Sequence, residues 1–303
     1  MAMTSATLSL GPVLFNWAPE VWRDFYFRMA DEAPVDTVFV GEVVCSKRAP
    51  FFADPLPTVL ERLAAAGKEV VLSTPILVTT ERERQAVSDL AATEGFRIEA
   101  NDLGCLSLLA GRPHAIGPFV NVYNEGTLAW LAGRGADAVS LPSELTRDAV
   151  AALAKSASGL GMTAEVQVFG RLPLAISARC YHARAHGLHK DGCQFICGRD
   201  ADGLDVATLE EAPFLAINGT QTLSHTYAAL VGELDELKAM GIGRFRLSPH
   251  ACDMVEVARL YRDRLDGRIG TADVLARLTA LVDKPLSNGF YHDREGVAFA
   301  GGA

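Results

Sequence analysis

Eight short runs rich in Val, Ile, Leu and Ala recur along the chain, each followed by a stretch with helical periodicity, and this alternation limits the fold more than anything else in the sequence. A strand, a helix and a second parallel strand make one βα unit, and repeated units call for a parallel sheet with helices packed on it, an α/β architecture. The predicted strands are Thr7–Leu14, Thr37–Gly41, Glu69–Thr74, Phe96–Ala100, Ala115–Val120, Ala136–Leu141, Thr163–Val168 and Arg244–Leu247. Predicted helices lie between them at Pro19–Asp31, Pro55–Ala66, Glu81–Ala92, Leu103–Ala110, Thr127–Arg134 and Thr146–Leu160, most followed by a glycine that stops the helix. Eight units are what a closed (β/α)8, TIM-like barrel requires. An open doubly wound sheet would carry a phosphate-binding glycine fingerprint after its first strand, and Leu10-Gly11-Pro12 is not one.

The repeat is interrupted after the seventh strand. Arg171 to about Ser224 are expected to form an insertion in a single barrel domain spanning residues 1–303, with one further apolar piece at Phe214-Leu215-Ala216-Ile217-Asn218. The pattern then predicts a helix over Tyr227–Met240, the last strand, helices over Met254–Asp266 and Ala272–Leu281, and a loop with a short cap over Ser287–Ala303.

Inside the insertion, Cys180, Cys193 and Cys197 stand in a C-x12-C-x3-C arrangement. Reducing compartments keep structural disulfides rare, so thiols concentrated in a chain without a secretion signal point to metal binding or redox chemistry. Thiolates select zinc, copper(I) or iron–sulfur centres, and three of them leave one position to fill. Zinc sites usually bring paired C-x2-4-C units. One long gap, a C-x3-C step and a distant fourth cysteine resemble an iron–sulfur site better. Barrel enzymes place their chemistry at the C-terminal ends of the strands. Cys45, after the second strand, would share that face with the other three, which makes it the expected fourth ligand. Cys252, after the last strand, is the alternative, and Cys105 reads as a small buried hydrophobe on an apolar helix.

Other polar residues at the same strand ends are Glu42, Asn101, Asp102, Asn121, Asn124, Glu144, Arg246 and Ser248, for which helix capping and ion pairing compete with chemical roles. Glu165 and Gln167 alternate with Val166 and Val168, so both face one side of the seventh strand, and an inward carboxylate there needs a partner. His182 and His186, in the gap between cysteines, read either as zinc ligands or as solvated loop histidines.

Charge removes one class of partner. The net charge of −9 and the lack of a Lys/Arg run oppose nucleic-acid binding. The first residues lack the basic lead and cleavage site of a signal peptide, and no apolar run reaches membrane-spanning length, so a cytoplasmic location is expected.

Four segments carry a resemblance: Leu10-Gly11-Pro12-Val13-Leu14, Gly41-Glu42-Val43-Val44-Cys45-Ser46-Lys47-Arg48, Glu99-Ala100-Asn101-Asp102-Leu103-Gly104 and Leu172-Pro173-Leu174-Ala175-Ile176-Ser177-Ala178-Arg179-Cys180. Together with the spacing to Cys193 and Cys197, they resemble the collagenase-like peptidase family U32, and within it the UbiV-type branch of oxygen-independent ubiquinone biosynthesis. That resemblance implies a [4Fe-4S] cluster on Cys45, Cys180, Cys193 and Cys197. It also implies a UbiU-like partner in a heterodimer, a UbiT-like lipid-carrier protein, and hydroxylation of the ring of a ubiquinone precursor without O2. Other family members carry a His-Gly pair before the cysteine segment and a further Cys within it, where this chain has Phe169-Gly170 and Pro173. Their loss, and the lack of an identifiable nucleophile–base motif, set the chain apart from a working peptidase. The competing expectations are a zinc-stabilised scaffold or binding subunit and, third, a peptidase-like hydrolase.

Overall fold

The computed structural model describes residues 6–301. Eight strands close a parallel barrel: β1 (Thr7–Leu10), β2 (Thr37–Val40), β3 (Glu69–Ser73), β4 (Arg97–Ala100), β5 (His114–Ile116), β6 (Ala136–Ser140), β7 (Thr163–Ile176) and β11 (Arg244–Leu247). Each pairs with the next, and β11 closes the ring by pairing in parallel with both β7 and β1, in register from Thr7 opposite Arg244 to Leu10 opposite Leu247. This is the predicted (β/α)8 barrel, with two strands shorter than their apolar runs suggested. β1 stops at Leu10, before Gly11-Pro12, because proline has no N–H for the ladder. β5 stops at Ile116 because Pro118–Val120 turn into a 3-10 helix.

The helices follow the sequence closely, and their starts have local causes. Thr80 caps the helix Glu81–Ala91 in a reciprocal capping box with Glu83, Asn124 accepts from the Thr127 N–H at the head of Glu125–Ala132, and Asp253 caps Met254–Leu265. Their inner faces bury Tyr26, Met29, Leu63, Leu128, Leu153, Ala154 and Tyr261 against the outward residues of the strands, such as Leu8, Leu10, Val38 and Phe245. No helix among the described residues is long and apolar enough to cross a membrane.

Inside the barrel lies a charged layer. Arg246 Nη1 donates to Glu99 Oε1 at 2.6 Å and to Glu165 Oε2 at 3.2 Å, and its guanidinium lies 4.2 Å from the Phe39 ring centroid. Ser9 donates to Glu165, and Ser73 donates to Glu99 at 2.6 Å. Glu165 thus faces inward with a cationic partner, as the alternation along β7 requires. Burial works against the charge on Arg246, but the two carboxylates outweigh it and hold its pKa above the ordinary arginine value.

β7 does not end at the barrel rim. Its upper half, Phe169 to Ile176, pairs antiparallel with β10 (Gln221–Ala229), which pairs with β9 (Pro213–Asn218) and through it with β8 (Leu204–Ala207). Leu223, opposite Pro173, lies between two register shifts in that ladder, which suits a residue that cannot donate. The apolar piece at 214–218 is therefore β9. The helix expected over Tyr227–Met240 is shorter than predicted. Tyr227 to Ala229 remain in β10, paired with β7 on one side and with β12 (Leu286–Ser287) on the other, and the helix covers Leu234–Ala239. A run such as Tyr-Ala-Ala-Leu-Val, buried on both faces, has no periodicity that separates a central strand from a buried helix.

Candidate metal centre

Cys45 lies in the loop after barrel strand β2, and the other three cysteines lie in the segment between β7 and β8, which with β8, β9, β10 and the upper half of β7 forms a leaf appended to the barrel. The loop after β2 is shaped by Glu42, whose Oε1 accepts from the N–H groups of Val44 and Cys45, both at 2.9 Å. A 3-10 turn at Ser46–Arg48 follows, anchored by Ser46 Oγ donating to Glu83 Oε1 at 2.6 Å. Cys180 sits at the head of the short helix Tyr181–Ala185, its sulfur accepting from the Ala183 N–H at 3.4 Å. Cys193 follows the turn Lys190–Gly192, and Cys197 lies in the turn Ile196–Arg199, reached through Gln194 and Phe195 in left-handed backbone. Asn16, at the end of the loop from β1, donates from Nδ2 to the Cys197 sulfur at 3.5 Å.

Cys45, Cys180, Cys193 and Cys197 line one small, largely enclosed cavity, together with Lys47, Arg48, Lys190, Phe195, Ile196 and Gly219. Among the described residues, no three His, Cys, Asp or Glu side chains stand as ligands of one metal ion. The four thiols thus surround a common space without converging on one point. Two of their sulfurs already accept N–H groups, as thiolates at a metal do. Burial pushes the Cys45 thiol up, against the pull of Arg48, and likewise pushes up Cys180. The donor set, the shared cavity and the N–H···S bonds fit a thiolate-held metal group.

Arg48 is the feature that sequence reasoning missed. It is 1% exposed, donates from Nη1 to Leu14 O at 2.9 Å and from Nη2 to Asn218 Oδ1 at 3.0 Å, and leaves Nε without a partner. Burial opposes its charge, and Glu42, Cys197 and Cys45 outweigh that and raise its pKa. Gly219, at φ +62, lies so close that a Cβ would stand 2.7 Å from Nη2. Asn16 also carried no signal in the sequence, since one Asn in Phe15-Asn16-Trp17 looks like any loop residue.

The remaining candidates lie elsewhere. Cys252 lines a separate cavity of about 480 Å3 with Trp17, Phe25, Met29 and Met254, where burial pushes its thiol to about 12. Cys105 is fully buried on its helix, its thiol pushed to about 11. His182 is not a solvated loop residue: it is fully buried, with Nε2 2.8 Å from Asp200 Oδ2, and its ring stacks on His186 at 5.7 Å. Burial lowers its pKa. Asp102 caps a helix through the Gly104 N–H at 2.7 Å, Asn101 Nδ2 donates to Thr74 O at 3.1 Å, and Glu144 accepts from the Tyr123 hydroxyl. Asn121 adopts left-handed backbone at φ 60, and Ser248 is buried beside Gly170. Phe169 is buried in an aromatic group, stacked on Tyr227 at 5.9 Å and edge-on to His250 at 6.2 Å. His250 Nε2 accepts from the Arg171 N–H at 3.0 Å, so its proton sits on Nδ1, 3.2 Å from Asp202.

Barrel, appended leaf and four-thiol cavity together define a (β/α)8 protein with a cysteine site at the C-terminal ends of its strands. The model of Peptidase family U32 matches residues 26–299, and the chain belongs to that family. Several solved structures align with most of the chain at low similarity. Dihydropteroate synthase from Thermus thermophilus is 13% identical, with 87% of this chain and 94% of that one covered at a TM-score of 0.43. Tryptophan synthase subunit alpha from Campylobacter jejuni is 8% identical, with 89% and 92% covered at 0.39. The spore cortex-lytic enzyme SleL of Bacillus megaterium is 11% identical, with 87% and 75% covered at 0.41. None of these likenesses bears on what the chain does.

Proposed function

We propose that Cys45, Cys180, Cys193 and Cys197 hold a [4Fe-4S] cluster, and that the chain is the UbiV-like subunit of an O2-independent hydroxylase acting on the ring of ubiquinone precursors. The observation that carries this reading is the single cavity lined by four thiols, one from the barrel and three from the leaf. A lone zinc draws four sulfurs to within roughly 3.8 Å of one another, given bonds near 2.3 Å. A cubane takes one thiolate at each of four irons, so its ligands surround a space rather than meet at one ion, which suits four thiols that line a single cavity. When bound, such a cluster supplies one-electron transfer. The chain's own residues supply the thiolates, the N–H donors of Asn16 and Ala183 to two of them, and a wall that restricts water.

Two further features support the reading. The apolar cavity of about 480 Å3 is of a size and lining that suit an aromatic precursor, and its wall includes Gly198, next to Cys197. Exposed apolar residues on and beside the leaf, among them Phe51, Phe195, Tyr181 and Phe214, suit a UbiU-like partner that shares the site, with a UbiT-like carrier delivering the precursor. The test is anaerobic purification followed by iron and acid-labile sulfide assay. About four of each per chain, by the cubane count, is expected. A colourless protein with one zinc would refute it.

A further inference from the structure

Among the described residues, no carboxylate makes a hydrogen bond or ion pair with Arg48. Its two terminal nitrogens meet neutral acceptors, the Leu14 carbonyl and the Asn218 side chain, while Nε has no protein partner. Two other guanidinia are buried nearby: Arg246 is held by two carboxylates, and Arg171 meets the carbonyls of Ser224 and His225 with Asp205 at 3.5 Å, so each has a carboxylate within ion-pair distance. Glu42 contributes charge from a distance but no hydrogen bond to Arg48, since its Oε1 accepts from two backbone N–H groups. A guanidinium removed from water in this way is strongly unfavourable unless negative charge lies beside it. The face that Arg48 presents is the wall of the four-thiol cavity. Lys47 and Lys190 also line the cavity, but the Lys47 amino group is partly exposed to water and engaged by Lys190 O and Asp191, both at 2.8 Å, so Arg48 is the cation held dry in this wall.

We infer that the buried Arg48 guanidinium is the counter-charge of the thiolate-held group in this cavity, and that it favours the state of that group with one more electron. The inference rests on the cluster reading. Four thiolates around a metal group carry net negative charge, and one-electron reduction by dithionite adds another without making or breaking a bond. A fixed cation in a low-dielectric wall stabilises the reduced state more than the oxidised one, and net charge with hydrogen bonding to the sulfurs sets the potentials of such groups. Arg48 is thereby a tuning residue, held in place by Leu14, Asn218 and the close backbone of Gly219.

The test uses the full chain as wild type, Arg48→Met, Arg48→Gln and Arg48→Lys, each loaded anaerobically with iron and sulfide and titrated with dithionite under EPR. With the solution poised where wild type is half reduced, the reduced-to-oxidised ratio is expected to fall roughly tenfold in Arg48→Met and Arg48→Gln, and to stay within about threefold in Arg48→Lys. Fully loaded neutral variants with an unchanged ratio would overturn the inference, as would a lysine variant shifted as far as the methionine one. If the neutral variants do not load, wild-type iron and sulfide in Arg48→Lys supports the charge, and an equally empty lysine variant overturns it. Wild type that takes up neither element refutes the cluster reading and this inference with it, an outcome recognisable because no substitution is involved.

Discussion

Replacing Arg246 by Met removes the cation from the charged layer inside the barrel and leaves Glu99 and Glu165 facing one another. All three side chains are at most 5% exposed, so water cannot take over the role of the guanidinium. Ser9, Ser73 and Asn101 still donate to the carboxylates, but they bring dipoles rather than charge. Breaking a buried ion network from one side costs about 3–5 kcal/mol, because the cost is that of the unpaired charges left behind. At about 2–4 °C per kcal/mol for a chain of this size or somewhat smaller, the melting temperature should drop by about 6–20 °C. Urea unfolding followed by circular dichroism and tryptophan fluorescence reads the loss as a lower midpoint with little change in slope. Adding Glu165→Gln to Arg246→Met should recover part of it, since the amide oxygen still accepts from Ser9 and only one carboxylate is then unpaired. A loss below about 1 kcal/mol, the value of an exposed pair, would refute the reasoning, and so would a double variant no more stable than Arg246→Met.

Alanine at Cys45, Cys180, Cys193 or Cys197 should remove most iron and sulfide from anaerobically purified protein, whereas Cys105→Ala and Cys252→Ala should retain them; equal losses at Cys252 would place the metal elsewhere. Glu83 has its carboxyl lowered to about 2, burial raising it but the hydrogen bonds from Ser46, Thr79 and Thr80 prevailing. Because its folded pKa lies below the ordinary value of 4.5, its contribution is full above that pH and is lost as pH falls toward 2. Acid should therefore loosen the turn that carries Cys45, and the acid limb of a stability–pH curve should flatten in Glu83→Gln. Co-expression with a UbiU-like chain should give a complex that stays together in anaerobic gel filtration, with an interface above roughly 1,200 Å2 and higher metal occupancy in both chains; separate elution would exclude a stable heterodimer.

Much of the barrel was legible because each of its strands is buried on both faces and bounded by a turn, so a short apolar run and a strand are nearly the same thing. The limits of that rule show in β10, where Tyr227 to Ala229 read as the start of a helix although β7 and β12 hold them in the sheet. The thiols stood out by residue type and spacing. Arg48 and Asn16 did not, because nothing local in Ser-Lys-Arg or Phe-Asn-Trp shows that one guanidinium is buried or that one amide meets a sulfur; both depend on where the leaf folds back. His182 read as a surface residue for the same reason, its burial coming from neighbours distant in sequence.

The continuity of β7 has a mechanical consequence. One strand serves as both barrel stave and root of the leaf, so the leaf cannot swing as a hinged lid; its least constrained movement is for the tip that carries residues 180–200 to peel from the barrel. That tip is tied down by exposed contacts such as Lys47 with Asp191, by Asn16 Nδ2 to the Cys197 sulfur at 3.5 Å and, just beyond its end, by Trp17 Nε1 to Ala201 O at 2.7 Å. A group bound to Cys45 and to the three leaf cysteines spans the line along which the tip would peel and acts as a clasp across it. Amide hydrogen exchange should then slow in the tip on metal loading and remain unchanged in β1 to β4, and peeling of the tip, rather than unfolding of the barrel, is the route by which the metal would escape.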